Sequence, residues 1–132
     1  QQTHAADRAR EMHMPFTTID EMTPLHLMKG VELRTLWGDN AMMSFVRFEP
    51  DGVVPEHDHP HEQMGTVMEG AFELVIDGEA RVVRSGDAYL IPGDVRHSAR
   101  AIGEAAVALD IFSPVREDYR DAAIAAAGEA GE

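Results

Sequence analysis

Short alternating runs of hydrophobic and polar residues dominate the chain from residue 31 onward. Residues 31–35 alternate between apolar and polar side chains, and residues 43–48 are mostly apolar and of β-prone types. Alternation with a period of two is typical of a strand that buries one face. Similar short runs cover residues 72–76, 81–84, 88–91 and 105–112. The pattern therefore predicts a series of β-strands.

Turn-forming residues separate these runs at regular intervals. Glycine next to Asp, Pro, Glu or Ser favours a tight turn, because these residues accept turn geometry at little cost. Such groups occur at residues 50–52, 69–70, 77–78, 85–87 and 92–94. Short strands joined by regular turns are typical of an all-β sandwich or barrel.

The run at residues 105–112 carries apolar side chains on both faces. In a strand, Ala108 and Phe112 project to one side, while Val107 and Leu109 project to the other. A contiguous apolar face on the outside of a small barrel needs cover. We therefore expect a partner subunit or a packed terminal segment there, and a homodimer is the predicted assembly.

The two ends of the chain differ from its β-rich middle. Residues 117–127 are rich in alanine, with acidic residues near the start, which predicts a helix that ends at Gly128. Residues 1–14 show little apolar periodicity. We expect them to form a flexible arm or a tag remnant, with the His13-Met14 pair as a cloning junction. Residues 15–132 are then expected to form one domain.

Composition narrows the classes of partner. The 132 residues include 11 basic and 24 acidic side chains, a formal net charge of -13. This charge repels nucleic acid and anionic membrane surfaces, so neither is an expected partner. The chain has no long apolar run and no signal-peptide pattern at its start, so we expect a cytoplasmic protein. The absence of cysteine excludes disulfides, thiolate nucleophiles and cysteine-bound metal.

Histidine is concentrated in one short segment. Residues two apart on a strand project to one face, so His57 and His59 can present two imidazoles to one point. Imidazole nitrogen suits iron, nickel, copper, zinc or manganese, so the pair predicts a site for one divalent transition metal. His61 follows Pro60 and is expected on a solvent-exposed bend. The alternative for His61 is a contact near the metal or with substrate.

Two segments around these histidines resemble the motifs of the cupin superfamily. The first motif runs glycine, five residues, HxH, three or four residues, glutamate, six residues and glycine. Gly52, the pair His57 and His59, Gln63 and Gly70 follow that frame, although only four residues separate Gly52 from His57. The resemblance implies a cupin fold, which is a double-stranded β-helix or jelly-roll-like barrel, here with a short C-terminal helix.

The second motif runs glycine, five residues, proline, one residue, glycine, two residues and histidine. Gly86, Pro92 and His97 match it. Asp94 stands in place of the second glycine, a tolerable change because aspartate visits unusual turn geometry. Ala101 replaces the final asparagine of the motif. The resemblance makes His97 the third histidine ligand of the metal.

The oxygen ligand of the first motif falls on an amide in this chain. The spacing to Gly70 places it at Gln63, which also has the same parity as His57 and His59, while the neighbouring carboxylate is Glu62. We favour Gln63 as a ligand through its amide oxygen, with a shifted Glu62 as the alternative. A third reading has Gln63 only bonding a metal-bound water. An amide leaves the cation its full charge, which modestly favours chemistry without electron transfer.

An acidic residue stands on the inward side of the run at 105–112. Asp110 is either a functional acid or base, which we favour, or the partner of a structural arginine. Arg116 follows shortly before the predicted helix. Its simplest role is a salt bridge at the helix start, with Glu117 or Asp118.

The segment from Asp110 to Tyr119 carries a narrower resemblance. It is similar to the D-x-F-[ST]-P-x-R-E-D-[FY] ending of small cupins of pectin and alginate breakdown, which convert 4,5-unsaturated uronates to linear ketonised products. The HxHPHxQ run at residues 57–63 is similar to theirs too. The resemblance implies that Asp110 is the proton shuttle, Phe112 a wall of the substrate pocket and Arg116 the group that holds the carboxylate of a small anionic sugar.

Other classes of function remain open on the same fold. One is an iron-dependent dioxygenase of the quercetinase or thiol type, which would consume oxygen. Another is a non-catalytic cupin that binds metal or sugar. A polyketide cyclase or a lyase acting on a small sulfonium compound is also compatible with the motifs.

Overall fold

Ten β-strands and one C-terminal helix make up residues 15–130, the part of the chain that the computed structural model describes. The predicted arm at residues 1–14 and the last two residues of the predicted domain lie outside this part, so the proposed division of the chain stays a prediction. The elements, after a single 3-10 turn at Ile19–Glu21, are β1 Leu25–Met28, β2 Val31–Trp37, β3 Met42–Phe48, β4 Val53–His57, β5 Glu62–Glu69, β6 Ala71–Ile76, β7 Glu79–Arg84, β8 Ala88–Ile91, β9 His97–Ala101, β10 Ala106–Ser113 and helix α1 Glu117–Ala130.

The strands form two antiparallel sheets. One has six strands in the order β1-β2-β3-β10-β5-β8, and the other has four in the order β4-β9-β6-β7. The predicted all-β fold with a C-terminal helix is therefore confirmed. Asp94 has a φ of 67°, so it adopts the left-handed turn geometry that its place in the second motif requires.

Alternation along the strands builds the core. Every second residue of β2, β3 and β10 is buried, and these residues form the inner face of the six-stranded sheet. Phe48 of this sheet stacks on Phe72 of the other sheet, with ring centroids 4.8 Å apart. Burial of large apolar side chains between two faces is the main force that holds such sheets together.

The outer face of the six-stranded sheet remains partly apolar. Val107, Leu109 and Ile111 are only half-buried, and the side chain of Met64 beside them is 49% exposed. The segment before β1 packs at one side, where the Arg34 side chain donates to a backbone carbonyl of that segment over 3.1 Å. A terminal segment therefore contacts this sheet. The homodimer stays a prediction.

Helix α1 begins where the sequence predicts but is longer. It starts at Glu117 and continues through Gly128 to Ala130, so the predicted end at Gly128 is wrong. One glycine costs a helix only about 1 kcal/mol relative to alanine, too little to end a helix with favourable neighbours. Tyr119 and Ala123, one turn apart, are buried as α1 packs against β1 and β2. No helix within residues 15–130 is long and apolar enough to cross a membrane.

Candidate metal site and its cavity

Three histidines from separate elements meet at one end of the barrel. His57 ends β4 and is the register partner of His97, which begins β9. His59 lies in the loop after β4 and not on a strand, so the prediction that strand alternation aligns it with His57 is wrong. The turn of that loop brings His59 to the same point. One potential ligand atom from each ring lies within 4.8 Å of the others.

Backbone carbonyls orient all three rings in the same way. A carbonyl oxygen only accepts, so each Nδ1 carries a proton, and Nε2 is the ring nitrogen left to bind a metal. Such carbonyl partners are the usual means of fixing a metal-binding histidine. The Nε2 atom of His97 is buried and has no hydrogen-bond partner among the described residues. The Nδ1 contacts are His57 to the Pro55 carbonyl at 2.8 Å, His59 to His61 at 3.1 Å and His97 to Val95 at 2.8 Å.

The amide of Gln63 completes the cluster from the six-stranded sheet. Its Oε1 lies 3.1 Å from Nε2 of His59. Burial, together with the charges of Arg116 and the other two histidines, lowers the pKa of His59 to about 4, so this ring is neutral at neutral pH. Two lone pairs therefore face each other at hydrogen-bond distance, an arrangement that a cation between them would stabilise. Glu62 is exposed, and Gln63 rather than Glu62 faces the histidines.

These groups fit a metal ion. The three histidines could hold one, and the neighbouring amide oxygen adds a fourth donor. Nitrogen and oxygen donors of this kind suit a divalent transition metal. Imidazole nitrogen and amide oxygen bind a metal as uncharged donors, so they would leave the charge of the cation uncompensated. That Gln63 is a ligand stays a prediction.

Asp110 is a buried carboxyl beside this cluster. Its Oδ1 accepts a hydrogen bond of 2.6 Å from the Tyr89 hydroxyl. Burial raises the pKa of Asp110 to about 6, although the hydrogen bonds from Tyr89 and Gln63 and the charge of Arg116 oppose the shift. Both protonation states are therefore accessible near neutral pH.

Sequence reasoning missed Tyr89. It treated Asp110 as either an unpaired carboxylate or the partner of an arginine, whereas one of its hydrogen-bond partners is the phenol of Tyr89. The available signal was Gly65, because a glycine inside a strand often marks a place where another group approaches the backbone closely.

Arg116 lies just before α1 and is buried although charged. Its Nε and Nη2 donate to the two carboxylate oxygens of Asp118, over 3.2 Å and 2.7 Å. The predicted salt bridge at the helix start is therefore present, with Asp118 as the partner. The guanidinium carbon also lies 3.7 Å from the ring centroid of Tyr119 and 5.2 Å from that of Phe112. Phe112 in turn contacts His59, with ring centroids 5.7 Å apart.

His61 is not on a solvent-exposed bend, and that prediction is wrong. Its relative exposure is 8%, and its Nε2 donates to Oε1 of Glu117 over 2.7 Å. The fold brings the start of α1 against the loop that carries His59. A contact between residues so far apart in sequence is set by the packing of α1 and not by any local pattern.

One internal cavity brings most of the predicted site residues together. Its volume is about 50 Å³, below the range of about 300–1,000 Å³ that is usual for small-molecule sites, so a sugar-sized ligand requires the lining side chains to move. His59 is not part of the lining, but its ring lies 5.0 Å from that of His97. The polar residues that line the cavity are His57, Gln63, Tyr89, His97, Ser98, Asp110, Arg116 and Tyr119, and Phe112 lines it among the apolar ones.

Known proteins share this sequence pattern and this fold. The pectin degradation protein KdgF of Dickeya dadantii strain 3937 is 36% identical over 104 residues, which cover 76% of this chain and 94% of that protein. An RmlC-like cupin from Shewanella frigidimarina superposes with a TM-score of 0.76 and 27% identity, over 81% of this chain and 96% of that one. KdgF from a Halomonas species superposes with a TM-score of 0.74 and 30% identity, over 81% and 99% of the two chains.

The family itself follows from a match to the sequence model of the cupin domain, which covers residues 44–112. The matched range contains both histidine motifs together with Asp110 and Phe112. The resemblance inferred from the two motifs is thereby confirmed, and the chain belongs to the cupin family.

Proposed function

We propose that this cupin opens the ring of 4,5-unsaturated uronate monosaccharides and converts them to linear keto sugars. The observation that carries the proposal is the position of Asp110, a buried carboxyl that lines the same cavity as His57, His97 and Arg116. The similarity of the chain to KdgF, which is named a pectin degradation protein, supports uronate breakdown as the process in which it acts. The segment from Asp110 to Tyr119 supports this narrower assignment within the family.

The proposed reaction is an isomerisation. The anomeric hydroxyl loses its proton, the C1=O bond forms and the bond from C1 to the ring oxygen breaks. The electron pair of that bond stays on the oxygen at C5 as an enol or enolate. A proton then adds at C4, and a ketone forms at C5. No electrons enter or leave, so one group that accepts a proton and later donates one is sufficient.

Asp110 is suited to that role. Burial raises the pKa of its carboxyl to about 6. A group transfers protons most effectively when its pKa lies near the working pH, and a pKa of about 6 is close to neutral. It would take the proton of the anomeric hydroxyl and return a proton to carbon.

Arg116 and Phe112 would bind the substrate. A guanidinium holds a carboxylate through two parallel hydrogen bonds. The bonds to Asp118 come from Nε and Nη2 of Arg116, and Nη1 is not part of that pair. The substrate carboxylate would therefore approach the Nη1 side, with the Phe112 ring as the adjacent wall. Protein and substrate are both anionic, so long-range electrostatic attraction does not guide the substrate to the site. Short-range contacts such as the one to Arg116 must recognise it.

A divalent metal would complete the site. His57, His59, Gln63 and His97 would hold one ion of nickel, iron, zinc or manganese. When bound, such an ion supplies Lewis acidity that polarises a hydroxyl of the sugar. The amide at position 63 preserves the charge on which that polarisation depends.

One assay separates the candidate functions. A freshly prepared 4,5-unsaturated uronate is incubated with the metal-loaded protein, and its ultraviolet absorbance is followed together with dissolved oxygen. We expect loss of absorbance at constant oxygen. Consumption of oxygen would instead indicate the dioxygenase alternative, and no change in either signal would contradict enzymatic ring opening and leave a binding role.

Assembly and location belong to the same proposal. A homodimer is supported by a row of apolar side chains across the outer face of the six-stranded sheet. Neighbouring positions in this row are Leu36, Met43, Ile111, Met64 and Leu90.

Cytoplasmic action and the absence of nucleic-acid and membrane partners stay predictions from charge and sequence.

A further inference from the structure

Three neighbouring positions on the six-stranded sheet form one unit around the carboxyl of Asp110. Asp110 on β10 pairs in register with Gly65 on β5, and Gly65 pairs with Tyr89 on β8. The side chains of Asp110 and Tyr89 therefore flank a strand position that has no side chain. They meet directly above the backbone of Gly65.

The space over Gly65 is filled by this pair. A Cβ atom at position 65 would lie 2.3 Å from Oδ1 of Asp110 and 2.4 Å from Cε1 and Cζ of Tyr89. No side chain larger than hydrogen fits without displacing one of them. The glycine is thus required by the close approach of the two side chains, which supports a specific role for their contact.

The contact is a short hydrogen bond with a defined direction. The Tyr89 hydroxyl donates to Oδ1 of Asp110 over 2.6 Å. Burial, and the adjacent Asp110 charge, raise the pKa of the phenol above its ordinary value, so it stays protonated and acts as a donor. One oxygen of the carboxyl is therefore held by Tyr89.

We infer that Tyr89 is a positioning residue that holds the carboxyl of Asp110 in its productive orientation, in the space that Gly65 leaves open. The inference rests on the proposed ring opening and assigns a role to a position that the second motif leaves unspecified, between Gly86 and Pro92. Tyr89 lines the cavity beside Asp110, but its bond is to Asp110 and not to the histidine cluster. It acts on the reaction through Asp110.

A misoriented carboxyl slows proton transfer more than it weakens substrate binding. Proton transfer depends steeply on the distance and angle between donor and acceptor. Binding of the sugar depends on Arg116 and Phe112, which this bond does not touch. The loss of the hydroxyl should therefore appear in kcat and not in KM.

The test is Tyr89→Phe, which keeps the ring and removes the hydroxyl. We expect kcat to fall about 10- to 100-fold, with KM changed by less than about threefold. Bound metal, measured by elemental analysis, should be unchanged, since Tyr89 does not contact the histidines. An unchanged kcat in a variant with normal metal content would overturn the inference.

Thr35→Val serves as the matched control. Thr35 is also a buried hydroxyl on the inner face of this sheet, and it donates to the Met43 carbonyl over 3.1 Å. The Thr35 hydroxyl also lies 2.9 Å from the Ser44 hydroxyl, and neither of these two partners is Asp110. The control should lose thermal stability and keep kcat. If both variants lose kcat equally, the effect of Tyr89→Phe is general destabilisation and the inference fails. If the wild-type protein does not consume the uronate, the proposed function fails first, and that result is obtained without any variant.

Discussion

Two adjacent rows of side chains on the inner face of the six-stranded sheet have the same backbone geometry and opposite chemistry. The apolar row pairs, strand by strand, Leu33, Val46, Ala108 and Val67. The polar row lies two residues away on each of these four strands and continues onto β8. Its positions are Thr35, Ser44, Asp110, Gly65 and Tyr89.

The difference lies in what burial does to each row. Burial of the apolar row releases water from hydrocarbon and stabilises the fold. Burial of the polar row costs free energy unless each group finds a partner. The Thr35 and Ser44 hydroxyls lie 2.9 Å apart, and Tyr89 bonds Asp110. Burial also leaves Asp110 with a pKa of about 6, so the polar row holds the group able to exchange a proton near neutral pH.

Asp110→Asn should have the largest effect, because it removes from the polar row the group that can exchange a proton. The amide cannot take up and return a proton as a carboxyl does, so turnover should fall by about 10²- to 10⁴-fold. Metal content and the thermal midpoint should stay near the wild-type values, since the shape of the side chain is kept. Normal turnover in this variant would reduce Asp110 to a structural role.

Gln63→Ala tests whether the amide next to the polar row is a metal ligand. If its amide oxygen is a metal ligand, metal affinity should fall at least about 10-fold, as measured by competition with a chelator. The matched control is Glu62→Ala, because Glu62 is exposed and adjacent. Equal metal content in wild type and Gln63→Ala would remove Gln63 from the metal, and a loss confined to Glu62→Ala would favour the shifted carboxylate.

Arg116→Ala should affect binding more than chemistry. One hydrogen bond to a charged group contributes about 1.5–3 kcal/mol, so loss of the pair should raise KM at least about 10-fold, with a smaller change in kcat. Arg120→Ala is the control, since Arg120 lies four residues later, on α1, and pairs with Asp121. A fall in kcat at constant KM would instead place Arg116 in the chemical step.

Val67→Ala should affect the apolar row alone and have the smallest effect on activity. Val67 is 3% exposed, so loss of its two methyl groups should lower the free energy of unfolding by about 1–3 kcal/mol. Denaturant unfolding measures that change. The kcat of the folded protein should be unchanged, and a large loss would contradict the separation of packing from chemistry between the two rows.

Local patterns predicted much of the fold. Strand β8 lies where the sequence predicts it, and β2, β3, β6, β7 and β10 agree within two residues at each end, because alternation and turn residues act over short distances. The end of α1 was wrong, since a single glycine is a weak local signal. Motif spacing made His57, Gln63 and His97 candidate ligands, and parity on a strand made Asp110 a candidate acid or base; these roles stay predictions.

Contacts between distant segments escaped prediction. His61 meets Glu117 only because α1 packs beside the loop after β4, and Tyr89 meets Asp110 only because β5 separates β8 from β10. Periodicity and turn residues were enough for β2, β3, β6, β7, β8 and β10, because those signals are local. The family and the candidate ligands came from the resemblance to the two cupin motifs. The partners of the buried polar groups depended on strand order and helix packing, since a hydrogen bond between remote residues exists only after the sheets have assembled.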